Sequence, residues 1–184
     1  MALRASIFFS YPTPWATDQD EIVERVRFYL EQRGFEPRTL GVTDYDMDTP
    51  LQAVRRLMLE CNGLVTIALR RTHIAQGVAK RRDEDGVLAD ITVDDRWLTT
   101  PWPHIETAMA FQLGLPILVF RERGVVADGI LEPGVVGAYM PEIDSEADLD
   151  EYFSSPIWTH PMGQWEGRVR RVIEQKGQPP SLYR

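Results

Sequence analysis

One cysteine, Cys61, stands among 184 residues, so an intrachain disulfide is impossible and no thiolate-based metal cluster can form. Histidine is nearly as scarce: there are three, spread along the chain, and none forms the two-histidine helical pair that grips zinc. Long apolar runs are missing too. The opening MALRASIFFSYP is far too short to span a bilayer, and proline and polar residues follow where a signal peptide would continue, so a cytoplasmic protein with no membrane partner is expected. There is no internal repeat and no low-complexity tract. A Gly-rich phosphate loop and a Gly-x-Ser-x-Gly elbow are both absent, which leaves nucleoside-triphosphatase and serine-hydrolase chemistry without a motif. Positive charge is in deficit, with 20 Lys and Arg against 28 Asp and Glu for a net charge of -8. A nucleic-acid partner is therefore disfavoured, because neutralising phosphates needs clustered cations. RRTHIAQGVAKRR is the local exception, and the acidic DEDGVLADITVDD follows it directly. The two runs are expected to neutralise each other on a solvated loop; the alternative is a small anion-binding role.

What remains is an ordinary globular composition, 43% hydrophobic and 26% charged, expected to form one domain over residues 1–184. An apolar run at 5–11 reads as a first strand, and 18–35 carries helical spacing at Ile22, Val26, Tyr29 and Leu30 before Gly34. A second strand is expected at 36–42. Thr49 as cap and Pro50 as first helical residue open a helix over 50–62, and the nearly continuous apolar run at 63–70 is a strand covered on both faces. Residues 71–100 are long and polar, with weak strand signals only at GVLADITV, and a segment of that length is usually functional or mobile. A helix over 105–114, a buried strand at 115–122, an edge strand near 138–143 and helices at 146–153 and 163–175 complete the pattern, with a loosely ordered tail at 176–184. Strands alternating with helices imply crossover connections. The expected fold is an α/β, flavodoxin-like three-layer sandwich with a mostly parallel sheet of about five strands.

Ligands in such sheets bind beyond the carboxyl ends of the strands. The loops expected there carry Ser10, Tyr11 and Trp15, then Asp44, Tyr45 and Asp46, then Trp102, His104 and Glu106. No metal set emerges. His104 and Glu106 match the His-x-Glu half of a zinc deaminase signature, but the Pro-Cys-x-x-Cys that must follow is absent. Glu106 has two readings. An acid in the first turn of a helix is favoured by the exposed N–H groups, by about 0.3–1 kcal/mol, and needs no other reason. Yet Glu106 shares a stripe with Met109, Ala110 and Leu113, the side expected to pack on the sheet, which would aim its carboxylate into the crevice. A fixed carboxylate suits cleavage of an N-glycosidic bond, where positive charge builds on the ribose. Trp102 or Tyr11 could stack on the base.

IFFSYPTP followed by an amphipathic helix, the acidic loop TDYDMDTP, and Trp102 four residues before Glu106 together resemble the TIR domain family over residues 7–120. That resemblance implies a NAD glycohydrolase or cyclase that releases nicotinamide as a signalling or antiphage defence effector. It implies Glu106 as catalytic residue, Ser10, Tyr11, Asp44, Asp46, Trp102 and His104 around the substrate, NAD as substrate with no added cofactor, and a homo-oligomer. IETAMAFQLGLPILV is also similar to the Glu-x-Gly-x-Ala-x-Ala-Leu-Gly-Lys-Pro segment of nucleoside 2-deoxyribosyltransferases, which implies the same glutamate as nucleophile toward a nucleoside. Pro103 stands where TIR domains carry cysteine, and Ala108 where the transferases carry glycine. A non-catalytic interaction or nucleotide-sensing module is the third reading, since fold does not fix function.

Overall fold

The computed structural model describes residues 5–82, 85–136 and 141–175. Its centre is a five-stranded sheet in which β1 (Ala5–Ser10) lies between β2 (Phe35–Arg38) and β3 (Leu64–Ala68), followed by β6 (Ile117–Glu122) and β7 (Glu142–Ile143). Every pairing in it is parallel. The expected sandwich is thus present. Residues 138–140 of the expected edge strand and the whole of 176–184 lie outside the described residues.

Two-residue alternation decides which helix covers which face. Ile7 and Phe9 of β1, with Val65 and Ile67 of β3, face α1 (Thr17–Gln32) and α5 (Pro156–Glu174) in one core. Phe8 and Leu64 face the opposite way, onto α2 (Pro50–Leu59) and α3 (Pro101–Gln112). α1 forms where expected, burying Ile22, Val23, Val26 and Leu30, and Gly34 ends it at φ 81°. α2 begins as read, with Thr49 at the cap and Pro50 first in the helix. α4 (Leu149–Ser154) starts at Asp148, whose carboxylate accepts from the N–H groups of Asp150 and Glu151. α5 begins seven residues before the expected start at 163 and carries Pro161 through its interior. Packing of Trp158 and Met162 on the sheet outweighs the breaker signal that Pro161 and Gly163 give in the sequence.

The stretch 71–100 is the main departure. It folds into a two-stranded antiparallel ribbon, β4 (Thr72–Arg82) with β5 (Leu88–Leu98), outside the central sheet. The basic run forms one strand and the acidic run the other, so Lys80 meets Asp90 at 2.6 Å across the ribbon. The expected neutralisation therefore occurs across paired strands rather than on a loop. The strand signal is weak because neither strand buries any of its described side chains; Val78, Leu88 and Ile91 are exposed. At its root, Trp97 stacks on Trp15 and bridges to Val125.

A fully buried carboxylate ties the carboxyl ends of the strands together. Glu122, at the end of β6, accepts from the backbone N–H and Nε of Arg70, both at 2.6 Å, and from Nε2 of Gln19 at 2.8 Å. Gln19 also donates to the Arg70 carbonyl. One anion thereby links the ends of β3 and β6 to the start of α1.

Two substitutions test this packing by urea unfolding. A methyl group at Gly63 would sit 2.8 Å from Cγ2 of Val169 and 3.2 Å from the Trp165 ring, so Gly63→Ala is expected to cost about 1–3 kcal/mol by overpacking α5 against β3. Glu122→Ala is expected to cost about 3 kcal/mol, the low end for removing one partner of a buried ion pair, since Arg70 retains Asp18 at 3.7 Å.

Candidate active site

Ser10 ends β1 and shares the parity of Phe8, so its side chain faces α3. α3 begins at Pro101 with Thr100 as cap, four residues before the expected start at 105. Proline suits the first helical position, where its missing N–H breaks no helical bond. Glu106 is consequently the sixth helical residue and lies in the second turn, beyond the reach of the helix-start preference for acids. The buried stripe of α3 runs through Pro103, Thr107 and Ala110, and Glu106 sits half-buried on its flank. Thr107 is pinned to Thr66 of β3 by a hydroxyl contact of 3.0 Å. One residue earlier, Glu106 reaches Ser10, whose hydroxyl donates to Oε2. Oε1 accepts no hydrogen bond from the described residues.

The pair opens onto a cavity of about 270 Å³ at the carboxyl end of the sheet. Phe8, Leu40 and Val54 form apolar wall; Thr13, Thr39, Arg71 and Thr100 add polar groups; Tyr11 and Trp102 add aromatic surface. Burial pushes the Glu106 carboxyl up to about 7, and the Ser10 hydrogen bond, which favours the charged form, offsets part of that rise. A carboxyl that exchanges its proton near neutrality, fixed on a helix and facing a cavity, has the properties of a catalytic group.

Four of the seven residues that the resemblance assigns to the site meet here: Ser10, Tyr11, Trp102 and Glu106. Trp102 is 40% exposed, one turn before Glu106. The Tyr11 hydroxyl is already engaged, accepting from Arg27 at 2.8 Å. Asp44 lies elsewhere, clasped by Arg38 at 2.5 and 3.1 Å; burial acts to raise its pKa, but the hydrogen bonds from Arg38 and Thr43 outweigh it and hold the carboxyl below its usual value. Asp46 is ion-paired with Arg56 and borders a separate hollow with Tyr45. His104 turns to the other flank of α3, where Asp128 is 3.8 Å away. Thr13, Thr39, Arg71 and Thr100 were not singled out in the sequence. Thr100 carried a signal, a threonine directly before a helix-opening proline, whereas Arg71 was hidden in the basic run.

Two other features bear on chemistry. A larger hollow of about 630 Å³ between β6 and α5 has no carboxylate in its lining. Cys61 is buried, with its thiol pushed up to about 12 by desolvation, so it is an inert core residue. Among the described residues, no three His, Cys, Asp or Glu side chains gather to hold a metal ion, and no helix is long and apolar enough to cross a membrane.

No protein-family model and no curated protein matches this sequence. Among solved structures, the CMP N-glycosidase BcmB of Clostridium botulinum is similar, with a TM-score of 0.51 at 12% identity, the match covering 86% of this chain and 98% of that one. At that identity the likeness is one of fold, and it lends no support to the TIR resemblance. The likeness extends over most of this chain's α/β sandwich, whose five-stranded sheet is parallel throughout.

Proposed function

We propose that this protein is an N-glycosidase that separates the base from the sugar of a nucleoside or nucleotide, with Glu106 as the catalytic carboxylate. The observation that carries the reading is the Ser10–Glu106 pair facing a cavity of nucleoside size. A nucleotide N-glycosidase of the same fold supports it. The volume, about 270 Å³, lies just below the roughly 300–1,000 Å³ of most small-molecule sites and favours one nucleoside unit over a dinucleotide. NAD is therefore a poorer fit than a mononucleotide, and no observation favours it.

In this reading Ser10 holds Oε2 while Oε1 faces the anomeric carbon of the sugar. As the C1′–N bond breaks, its electron pair leaves with the base, and the ionised carboxylate stabilises the oxocarbenium ion or bonds to C1′. Water then delivers hydroxide equivalents to C1′ and a proton to the base, giving free base and the sugar. Trp102, on the turn preceding Glu106, supplies a ring face on which the base can lie. Ionised Glu106 is the working form, and its environment makes that form costly in the absence of positive charge. A sugar carrying developing positive charge relieves this cost at the transition state.

Release of free base from nucleoside 5′-monophosphates and nucleosides, followed by chromatography, tests the reading. Glu106→Gln is expected to lower kcat by about 10²–10³-fold or more while the far-ultraviolet spectrum is unchanged. Wild-type protein that releases no base from any such substrate would remove the proposal. The rate should rise with pH through about 7 as the carboxyl ionises. Stability should move oppositely. The fold binds a proton on Glu106 between the ordinary value of 4.5 and about 7 that the unfolded chain has already lost, so stability falls as pH rises across that window. In Glu106→Gln that part of the slope should vanish, as read by urea midpoints from pH 4 to 8.

A further inference from the structure

Bond cleavage uses Glu106, Ser10 and an aromatic face, yet two further cavity groups come from the root of the ribbon and have no part in it. Arg71 immediately precedes β4, and Thr100 follows β5 by two residues. The Arg71 N–H donates to the Leu98 carbonyl at 2.9 Å, which closes the ribbon's base and brings the two ends side by side. Both residues line the cavity.

Arg71 is exposed at its rim and donates from Nη1 to the Thr13 carbonyl at 3.0 Å. Among the described residues no carboxylate pairs with it, whereas its neighbour Arg70 holds both Glu122 and Asp18. Thr100 makes no hydrogen bond through its hydroxyl among the described residues. It occupies the cap position of α3, where a threonine hydroxyl normally accepts from the second or third helical N–H, but the third helical residue is Pro103, which has none. The hydroxyl caps nothing, and its Oγ1 is buried without a hydrogen-bond partner. A buried polar atom left unpaired costs stability, and a ligand oxygen would satisfy it.

A guanidinium offers several N–H groups in a plane that matches phosphate oxygens, and a hydroxyl can donate to a further oxygen. The N-terminal end of α3 lies beside them and adds positive potential of the same sign. We infer that Arg71 and Thr100 form a phosphate subsite at the rim of the cavity, so that the substrate is a nucleoside 5′-monophosphate rather than a free nucleoside. The identity of the rest of the substrate rests on the N-glycosidase reading; the phosphate subsite rests on these two residues. It also accounts for how a chain of net charge -8 would accept a dianion: one local cation offsets a repelling field. The ribbon thus contributes specificity through its root, and the first arginines of the basic run divide into a structural one, Arg70, and a ligand-facing one, Arg71.

Two measurements test the inference separately from the reaction. In calorimetric titrations, wild-type protein is expected to bind a nucleoside 5′-monophosphate about 10- to 100-fold more tightly than the matching nucleoside, the range for charge-assisted hydrogen bonds to phosphate. Arg71→Met should erase most of that preference, Arg71→Lys should keep part of it, and Thr100→Val should weaken it; inorganic phosphate should compete with the monophosphate in the wild type. Equal binding of the two ligands, no binding of either, or a preference that survives Arg71→Met would overturn the subsite. Base-release kinetics then separate the two ideas. A phosphate preference in binding without any base release would leave the subsite standing and remove the N-glycosidase reading. Base release at equal kcat/KM from monophosphate and nucleoside would do the reverse.

Discussion

The carboxylate of Glu122 is the constraint on which the functional edge of this protein depends. It is fully buried at the end of β6 and is neutralised by Arg70 at the end of β3, with Gln19 of α1 completing its hydrogen bonds. A charge in that position is tolerated only because its partners converge on it, since leaving it unpaired would cost several kcal/mol. The same convergence settles where the chain goes next. Arg70 is held facing inward, and Arg71 must then leave the sheet, so the ribbon starts at a defined point beside the cavity. Trp15 reinforces this exit by donating its indole N–H to the Arg70 carbonyl while stacking on Trp97 of β5, at the root of the ribbon.

Against that rigid frame, Glu106 is a carboxyl of the opposite kind. Glu122 has a cation and an amide; Glu106 has a single hydroxyl donor, Ser10, and apolar neighbours that raise its pKa to about 7. Two acids on one sheet edge, Glu122 fully buried and Glu106 half-buried, thus divide structural and chemical work according to their partners. Parity along β1 and β3 makes the division possible. Ser10 and Thr66 face α3, where one holds Glu106 and the other holds Thr107, so consecutive residues of the helix are located by neighbouring strands of the sheet.

Much of the architecture was legible in the sequence, because apolar strands and amphipathic helices declare themselves through periodicity, and periodicity records burial. α1 and α2 follow from the apolar spacing that ends at Gly34 and from the Thr49–Pro50 start. The ribbon was not legible for the same reason inverted. Its strands are held by pairing with each other and none of their described side chains is buried, so they leave no apolar alternation in the chain. The first turns of α5 are hidden in the sequence because Pro161 is a local breaker signal, and only the docking of Trp158 and Met162 against the sheet shows that packing overrides it.

The sequence by itself determined that a parallel α/β sheet would form, that its carboxyl edge would carry acids, aromatics and hydroxyls, and that Glu106 would lie on the helix bordering that edge. Tertiary structure alone decided which of those groups meet. Asp44 and Asp46 are drawn away by Arg38 and Arg56, and His104 by its place on the far flank of α3, while Arg71 and Thr100 are brought in because the ribbon closes on itself. The physical reason is that a loop side chain is positioned by its partner, often one distant in the chain, and one-dimensional spacing carries no record of that choice. Helix and strand periodicity is local and can be read; ion pairing and ribbon closure are not local, and must be seen.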